Sequence, residues 1–227
     1  MKRSDINRII KNMEMVLKQH KIELPPFLSW TPEEWLKKGH EYDEIRDNML
    51  GWDVTDYDMG KFDELGIVLI TLRNGNPNND KYTKTYAEKL IYMQEGQVSP
   101  MHFHWNKMED IIHRGGGDCV FRLYNADKDE HLADTDVIIS RDGRNYVVPA
   151  GEKVIIKAGE SLTLYPYYYH EFYVEKGHEA ALLGEVSMCN DDNLDNRFEQ
   201  EFGRFPTIEE DEPAYRLLCN EYPVAQD

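Results

Sequence analysis

Two histidines stand two residues apart in the segment Gly96-Gln97-Val98-Ser99-Pro100-Met101-His102-Phe103-His104-Trp105, and Glu109 follows a short way on. On a strand, residues i and i+2 share a face, so His102 and His104 point one way and Phe103 and Trp105 the other. A turn at Asn106-Lys107 would reverse the chain and return Glu109 on a paired strand beside the two imidazoles. Two neutral nitrogens and a carboxylate that converge on one point are what a divalent cation requires.

A second segment, Gly159-Glu160-Ser161-Leu162-Thr163-Leu164-Tyr165-Pro166-Tyr167-Tyr168-Tyr169-His170, reads as strand, turn and then histidine. Together the two segments resemble the cupin superfamily. The first carries a Gly, His-x-His, a Glu and then a Gly around Gly115-Gly116. The second matches through Pro166 and His170. It departs in lacking a Gly between them, where Tyr167 to Tyr169 fill the turn, and in lacking an Asn after the histidine. The resemblance implies a β-barrel of six or more strands whose interior carries His102, His104, Glu109 and His170 as metal ligands. Three nitrogens and a carboxylate leave about two positions of an octahedron open. A structural zinc site would be closed and richer in sulfur. Mn, Fe(II), Co or Ni therefore fit better, with Zn a lesser option, and the open positions suit a substrate chelated through two oxygens.

A narrower resemblance spans residues 82–222. Met101 to Trp105 running into Met108-Glu109-Asp110-Ile111-Ile112 and Arg114-Gly115-Gly116-Gly117 is similar to the D-lyxose isomerase family. So are Gly184-Glu185-Val186-Ser187, Asn190-Asp191-Asp192, Asp195-Asn196-Arg197-Phe198, Gly203-Arg204-Phe205-Pro206, Ile208 to Pro213, and Leu218-Cys219-Asn220-Glu221-Tyr222. This resemblance implies a Mn-dependent aldose–ketose isomerase that interconverts D-lyxose with D-xylulose and D-mannose with D-fructose through a metal-stabilised enediol.

Such an isomerase needs a group to move a proton between C2 and C1. The four ligands are committed to the metal, so other residues must do this. Glu185 lies on an otherwise apolar run, Ala180 to Met188, and faces the cavity with Leu183 and Ser187. Lys89 lies on the strand before the histidines, where it could hold a sugar oxygen. Lys107 sits in the turn between ligands. Asp195 and Arg197 are candidates for binding sugar hydroxyls at the cavity mouth. Two alternatives use the same four ligands: a cupin phosphosugar isomerase, which would need a basic phosphate pocket, and a metal-dependent cupin dioxygenase.

The elements that must position these residues follow from periodicity. Ile6, Ile9, Ile10, Met13 and Leu17 recur at helical spacing after Ser4 or Asp5 as a cap. Thr31 precedes Pro32-Glu33-Glu34, a capped helix start that runs towards Lys38 and stops at Gly39. From Gly66 the texture changes to short apolar runs separated by turns, an antiparallel pattern. These are Ile67 to Leu72, Glu88 to Gln94, Pro100 to Trp105, Cys119 to Tyr124, Asn145 to Val148, Lys153 to Ile156, Ser161 to Tyr165 and Glu179 to Met188. The expected organisation is all-β: a helical extension over 1–62, a cupin-type antiparallel barrel (jelly roll) over 63–190, and a polar segment over 191–227 packed on it.

Composition narrows the partners. The 227 residues carry a formal net charge of -17, which repels nucleic-acid phosphates and anionic lipid, so neither is expected. A small sugar is the expected ligand. Cys119, Cys189 and Cys219 are odd in number and widely spaced, which argues against a disulfide framework and for a reducing cytoplasm. No segment approaches the roughly 18 apolar residues of a membrane span, and the basic start has no signal-peptide core. A barrel with a helical arm is expected to form a homodimer through exchanged edges.

Overall fold

The computed structural model describes residues 1–192 and 194–226; Asn193 and Asp227, both in the anticipated C-terminal segment, lie outside them. The apolar stripe near the start forms α1 (Arg3–Gln19), with Ile6, Ile9, Ile10, Met13 and Leu17 buried. Its anticipated cap is corrected. Lys2 is the N-cap and its side chain makes no capping bond. Asp211, from the far end of the chain, instead accepts the Ser4 amide at 2.9 Å and its hydroxyl at 2.6 Å. A carboxylate at a helix N-terminus also meets the positive end of the macrodipole. Thr31 does cap α2 (Pro32–Trp35), through a reciprocal capping box with Glu34, but that helix lasts one turn rather than reaching Lys38. A third short helix, α3, covers Asp43–Asp47.

The strands are β1 (Gly51–Thr55), β2 (Ile67–Arg73), β3 (Tyr86–Met93), β4 (Val98–Phe103), β5 (Glu109–Gly116), β6 (Cys119–Ala126) and β7 (Leu132–Ala133). They continue as β8 (Val137–Arg141), β9 (Arg144–Val148), β10 (Lys153–Ile156), β11 (Ser161–Leu164), β12 (Tyr168–Val174), β13 (Ala181–Met188) and β14 (Arg197–Phe198). They build two antiparallel sheets, β1-β2-β3-β13-β5-β11-β8-β9 and β10-β6-β12-β4-β14, with β7 beside β6. This is the all-β, two-sheet barrel with an N-terminal helix that the pattern anticipates. Inward residues of both sheets form one core, including Phe121, Phe172, Ile111 and Leu183. A second core lies on the outer face of the larger sheet, where α1 covers Trp52, Val54, Val68 and Ile70.

Two expectations change. The first 62 residues are not helical throughout, because β1 joins the larger sheet beside β2. The burial of all five of its residues explains why no alternation marks it. The second change concerns the histidine strand. β4 and β5 do not form a hairpin: β4 pairs with β12 and β14, whereas β5 pairs with β13 and β11. The link between them crosses from one sheet to the other. Its amide groups at Asn106 and Lys107 donate to the Asp195 carboxylate, at 2.9 Å each, rather than across a turn.

Glycine is required where β5 ends. Gly116 has φ +90°, and a Cβ there would lie 2.0 Å from the Ala180 carbonyl oxygen. Among the described residues no helix is long and apolar enough to cross a membrane.

Candidate metal and proton-transfer site

The two sheets divide the chemistry. β4 and β12 of the smaller sheet bring the imidazoles together, with His102 directly opposite His170. His104 follows just beyond β4. One ring nitrogen from each of the three lies within 4.8 Å of the others. Glu109 opens β5 on the facing sheet, and its Oε1 stands 3.2 Å from His170 Nε2 and 3.6 Å from His104 Nε2. The four proposed ligands therefore converge, but across the barrel interior rather than along one hairpin.

The second nitrogen of each ring is fixed by a backbone carbonyl. His102 Nδ1 lies 2.7 Å from Pro100 O, His104 Nδ1 2.6 Å from Asp195 O, and His170 Nδ1 2.9 Å from Tyr168 O. Each Nδ1 donates there, which leaves the lone pair on Nε2 facing the cluster. His104 Nε2 and His170 Nε2 are buried and make no hydrogen bond. A buried acceptor without a donor costs about 1–3 kcal/mol, and a cation would relieve two such costs at once. Burial, then the neighbouring His170 and His104, push the His102 imidazole well below its ordinary range. Burial and Lys107 lower His104. Neutral imidazoles with carbonyl-fixed tautomers are the form that binds metal. Burial alone would raise the Glu109 carboxyl, but the Lys107 ammonium beside it holds it well below the usual carboxylate range. The donor set thus fits a divalent metal on the strength of its orphaned nitrogens.

The turn that delivers His170 contains the departure seen in the sequence. Tyr167 occupies the left-handed region at φ 62° where a glycine would be expected. For a residue with a Cβ this costs about 1 kcal/mol. Compensation is visible: the Tyr167 ring stacks on Phe103 at 5.2 Å, and its amide donates to His104 O at 2.9 Å.

The proton-transfer candidates lie on the facing sheet. Glu185 on β13 is opposite Lys89 on β3. Its Oε1 is 3.4 Å from Lys89 Nζ, 3.1 Å from Lys107 Nζ and 3.0 Å from the Ser187 hydroxyl. Lys107 also reaches Glu109 Oε2 at 2.6 Å. It therefore bridges the carboxylates of Glu109, a proposed ligand, and Glu185, and it does not point to solvent. Burial would lower the Lys107 ammonium, but Glu109 and Glu185 outweigh this and raise it above the usual lysine range. Asn190 Oδ1 accepts from both lysines, at 2.7 Å from Lys89 and 3.3 Å from Lys107.

Asp195 and Arg197 are placed elsewhere. The Asp195 carboxylate is spent on the Asn106 and Lys107 amides, so it positions the ligand loop rather than facing a sugar. Arg197 turns to Glu130 at 3.5 Å and to the Phe198 carbonyl, outside the cavity. On a two-residue strand, neighbours point oppositely, and Phe198 is the one that lines the cavity.

The cavity is also lined by Tyr57, Asn190, Asp192 and Arg204, which spacing did not single out. Arg204 pairs with Asp53 and with Asp192, the latter at 3.0 Å. Asn190, Asp192 and Arg204 stood within the blocks quoted for the family resemblance, which was the signal available. Tyr57 had none, because it follows β1 in a segment without periodicity.

A family model described as D-lyxose isomerase matches residues 1–222. A D-lyxose/D-mannose isomerase of Escherichia coli O157:H7 is 45% identical over 223 residues, 98% of each chain. One of Serratia proteamaculans is 44% identical over the same length, again 98% of each. Among solved structures, an L-ribose isomerase of Cellulomonas parahominis with L-psicose superposes with a TM-score of 0.59, covering 92% of this chain and 98% of that one. At 15% identity that likeness concerns the fold.

Proposed function

Since the chain belongs to the D-lyxose isomerase family, we propose that it is a metal-dependent aldose–ketose isomerase acting on D-lyxose and D-mannose. The products are D-xylulose and D-fructose. One observation carries this reading: a three-imidazole cluster and a carboxylate flanked by two ammonium groups face each other across a single cavity. His102, His104, His170 and Glu109 would hold the cation, with manganese as the metal. When bound, it supplies Lewis acidity toward the carbonyl of an open-chain sugar.

The remaining chemistry belongs to the chain's own residues. Glu185 takes the proton from C2 and returns it to C1, while the hydroxyl proton passes from O2 to O1. No net oxidation occurs, since one C–H bond is lost and one is gained. Lys107 keeps a positive charge beside the reacting centre and neutralises the negative charge that develops there. Lys89 and Ser187 hold the Glu185 carboxylate at one orientation. Asn190 holds both lysines in turn.

A free sugar is the better substrate than a phosphorylated one. The cavity cations Lys89, Lys107 and Arg204 are each paired with carboxylates, which leaves a phosphate to compete with anions already in place. The cytoplasm is the compartment that suits three free cysteines, two of them buried.

Metal analysis of the purified protein, beside ketose formation from a panel of free and phosphorylated aldoses, tests this reading. Stoichiometric manganese and turnover of free D-lyxose and D-mannose are expected. Ketose formation from phosphorylated sugars only would overturn the substrate assignment. Isomerising C2-deuterated sugar in H₂O tests the shuttle: the label should wash out, and its full retention would mean a hydride shift without Glu185.

A further inference from the structure

Asn190 follows β13 and places its side chain between the two lysines of the site. Its Oδ1 accepts from Lys89 Nζ at 2.7 Å and from Lys107 Nζ at 3.3 Å. The backbone of the same residue is gripped by one other side chain. Asn74 Oδ1 accepts from the Asn190 amide at 2.9 Å, and Asn74 Nδ2 donates to Asn190 O, also at 2.9 Å. An amide can do both at once, whereas an ionised carboxylate only accepts. Asn74 is fixed from behind in turn. Asn48 Nδ2 donates to Asn74 O at 3.1 Å, and Asn74 Nδ2 reaches Asn48 O at 3.3 Å. All three asparagines are buried, where a polar network bonded at each end specifies one arrangement.

The residue after Asn74 makes this approach possible. A Cβ at Gly75 would strike the Lys84 carbonyl and the Cys189 sulfur, so glycine lets the loop after β2 lie against the chain beside Asn190. Asn74 lines a separate cleft with Asn48, Asn76 and Asn78, whereas Asn190 lines both that cleft and the catalytic cavity. Asn74 therefore reaches the chemistry through Asn190.

We infer that Asn74 is a positioning residue for the isomerisation: it fixes the Asn190 oxygen between Lys89 and Lys107, and that oxygen keeps Lys89 from closing on Glu185. This rests on the role proposed above for Glu185. Distances carry the argument. Lys89 Nζ lies 2.7 Å from Asn190 Oδ1 but 3.4 Å from Glu185 Oε1, longer than the roughly 2.7–2.9 Å of a closed ammonium–carboxylate bond. Glu185 Oε1 already accepts from Lys107 and Ser187. A closed third bond would oppose proton uptake by that carboxylate. Asn190 offers Lys89 a neutral acceptor instead, so the positive charge stays near the reacting centre without sealing the base.

Lys107 is directed in the same way. Its ammonium has three N–H groups, and they meet Glu109 at 2.6 Å, Glu185 at 3.1 Å and Asn190 at 3.3 Å. Withdrawing the Asn190 oxygen would leave both lysines to redistribute toward the carboxylates.

Steady-state kinetics and crystal structures of the manganese-loaded full chain test this. Asn74→Ala removes every side-chain contact, and Asn74→Asp keeps the shape and the acceptor but loses the donors, which guards against a variant that does not fold. Each should lower kcat for D-lyxose at least tenfold, with KM within about twofold and bound manganese unchanged, since a shift of about 1 Å arising away from the chemistry is enough for such a loss. In each, Lys89 Nζ should close on Glu185 to about 2.8 Å. Asn190→Ala should match this loss, and the double variant with Asn74→Ala should lose no more than the larger single one, because both act on one oxygen. Asn78→Ala, in the same loop but bonded to Asp191, should keep full activity. Losses that multiply, lysines that keep their places, or an unchanged kcat once Lys89 has moved would each overturn the inference. Loss of manganese from the Asn74 variants would mark a purely structural role and overturn it too. An unsubstituted protein that turns over no aldose is instead the failure of the functional reading, told apart because the lysine positions in the variants still report the clamp.

Discussion

His102 and His170 stand directly opposite each other on paired antiparallel strands, with ring centroids 4.1 Å apart. Like charges at that position would repel, and burial together with the neighbouring imidazoles keeps His102 neutral. The pair is therefore arranged as two donors waiting on a common acceptor. His170→Ala should cut bound metal to less than about a tenth of a full complement and remove turnover, whereas a lost outer partner typically costs 10–100-fold. Elemental analysis after dialysis checks this; full metal content in the variant would remove His170 from the ligand set.

Glu185 is buried beside Lys89, Lys107 and Ser187 but touches none of the three histidines. Glu185→Gln preserves its shape and takes away its ability to carry a proton. Metal content should stay normal while kcat falls by about 10²–10⁴, the usual contribution of a positioned acid–base group. Near-normal kcat would show that another residue moves the proton.

Asp195 acts at one remove. Its carboxylate holds the Asn106 and Lys107 amides, and its carbonyl holds the His104 ring. Asp195→Ala should release the loop that carries two site residues, weakening metal affinity about 10–100-fold, as second-sphere losses do. Asp195→Asn keeps one acceptor oxygen and should recover part of that loss. A variant with altered KM and unchanged metal affinity would instead place Asp195 on the sugar.

Acid stability follows from the buried group around Arg204. Burial would raise the Asp192 carboxyl, but Arg204, Lys89 and Lys107 hold it well below the usual range. Its native form binds a proton less readily than its unfolded form does. Its contribution is thus complete above the unfolded value of about 4 and is lost as pH falls toward the native one. Urea midpoints should drop between pH 5 and pH 3, and Asp192→Asn should flatten that slope. Arg204→Met leaves Asp53 and Asp192 without their shared cation and should cost about 3–5 kcal/mol at neutral pH. An unchanged midpoint would mean that the triad is solvated.

Much of this was legible before any fold was known, and the exceptions have physical causes. Period-two alternation exposed His102 with His104, and period-3.6 spacing exposed the buried face of α1. Local patterns are silent about which strands pair. The link at Asn106-Lys107 resembles a hairpin turn in composition, yet it spans two sheets because its amides find Asp195 far along the chain. β1 escaped notice because both its faces are covered, which erases alternation. β12 was hidden by the aromatic run Tyr167 to Tyr169, read as a turn, although only Tyr167 has turn geometry. Arg204 reached the cavity through a segment with no periodicity at all. The direction of Arg197 turned on which of two adjacent residues faced inward, which a two-residue strand does not encode.

The clamp formed by Asp195 also fixes an order of events during synthesis. His102, His104 and Glu109 leave the ribosome early, but β13, which lies between β3 and β5, and the Asp195 carboxylate follow much later. At about 5–20 residues per second, the first ligands wait on the order of seconds for the segment that fastens them. Until then water rather than Asp195 meets the amides of Asn106 and Lys107, and Lys89 and Lys107 lack Glu185 between them. A nascent chain therefore carries His102, His104 and Glu109 before the segment that fixes their geometry.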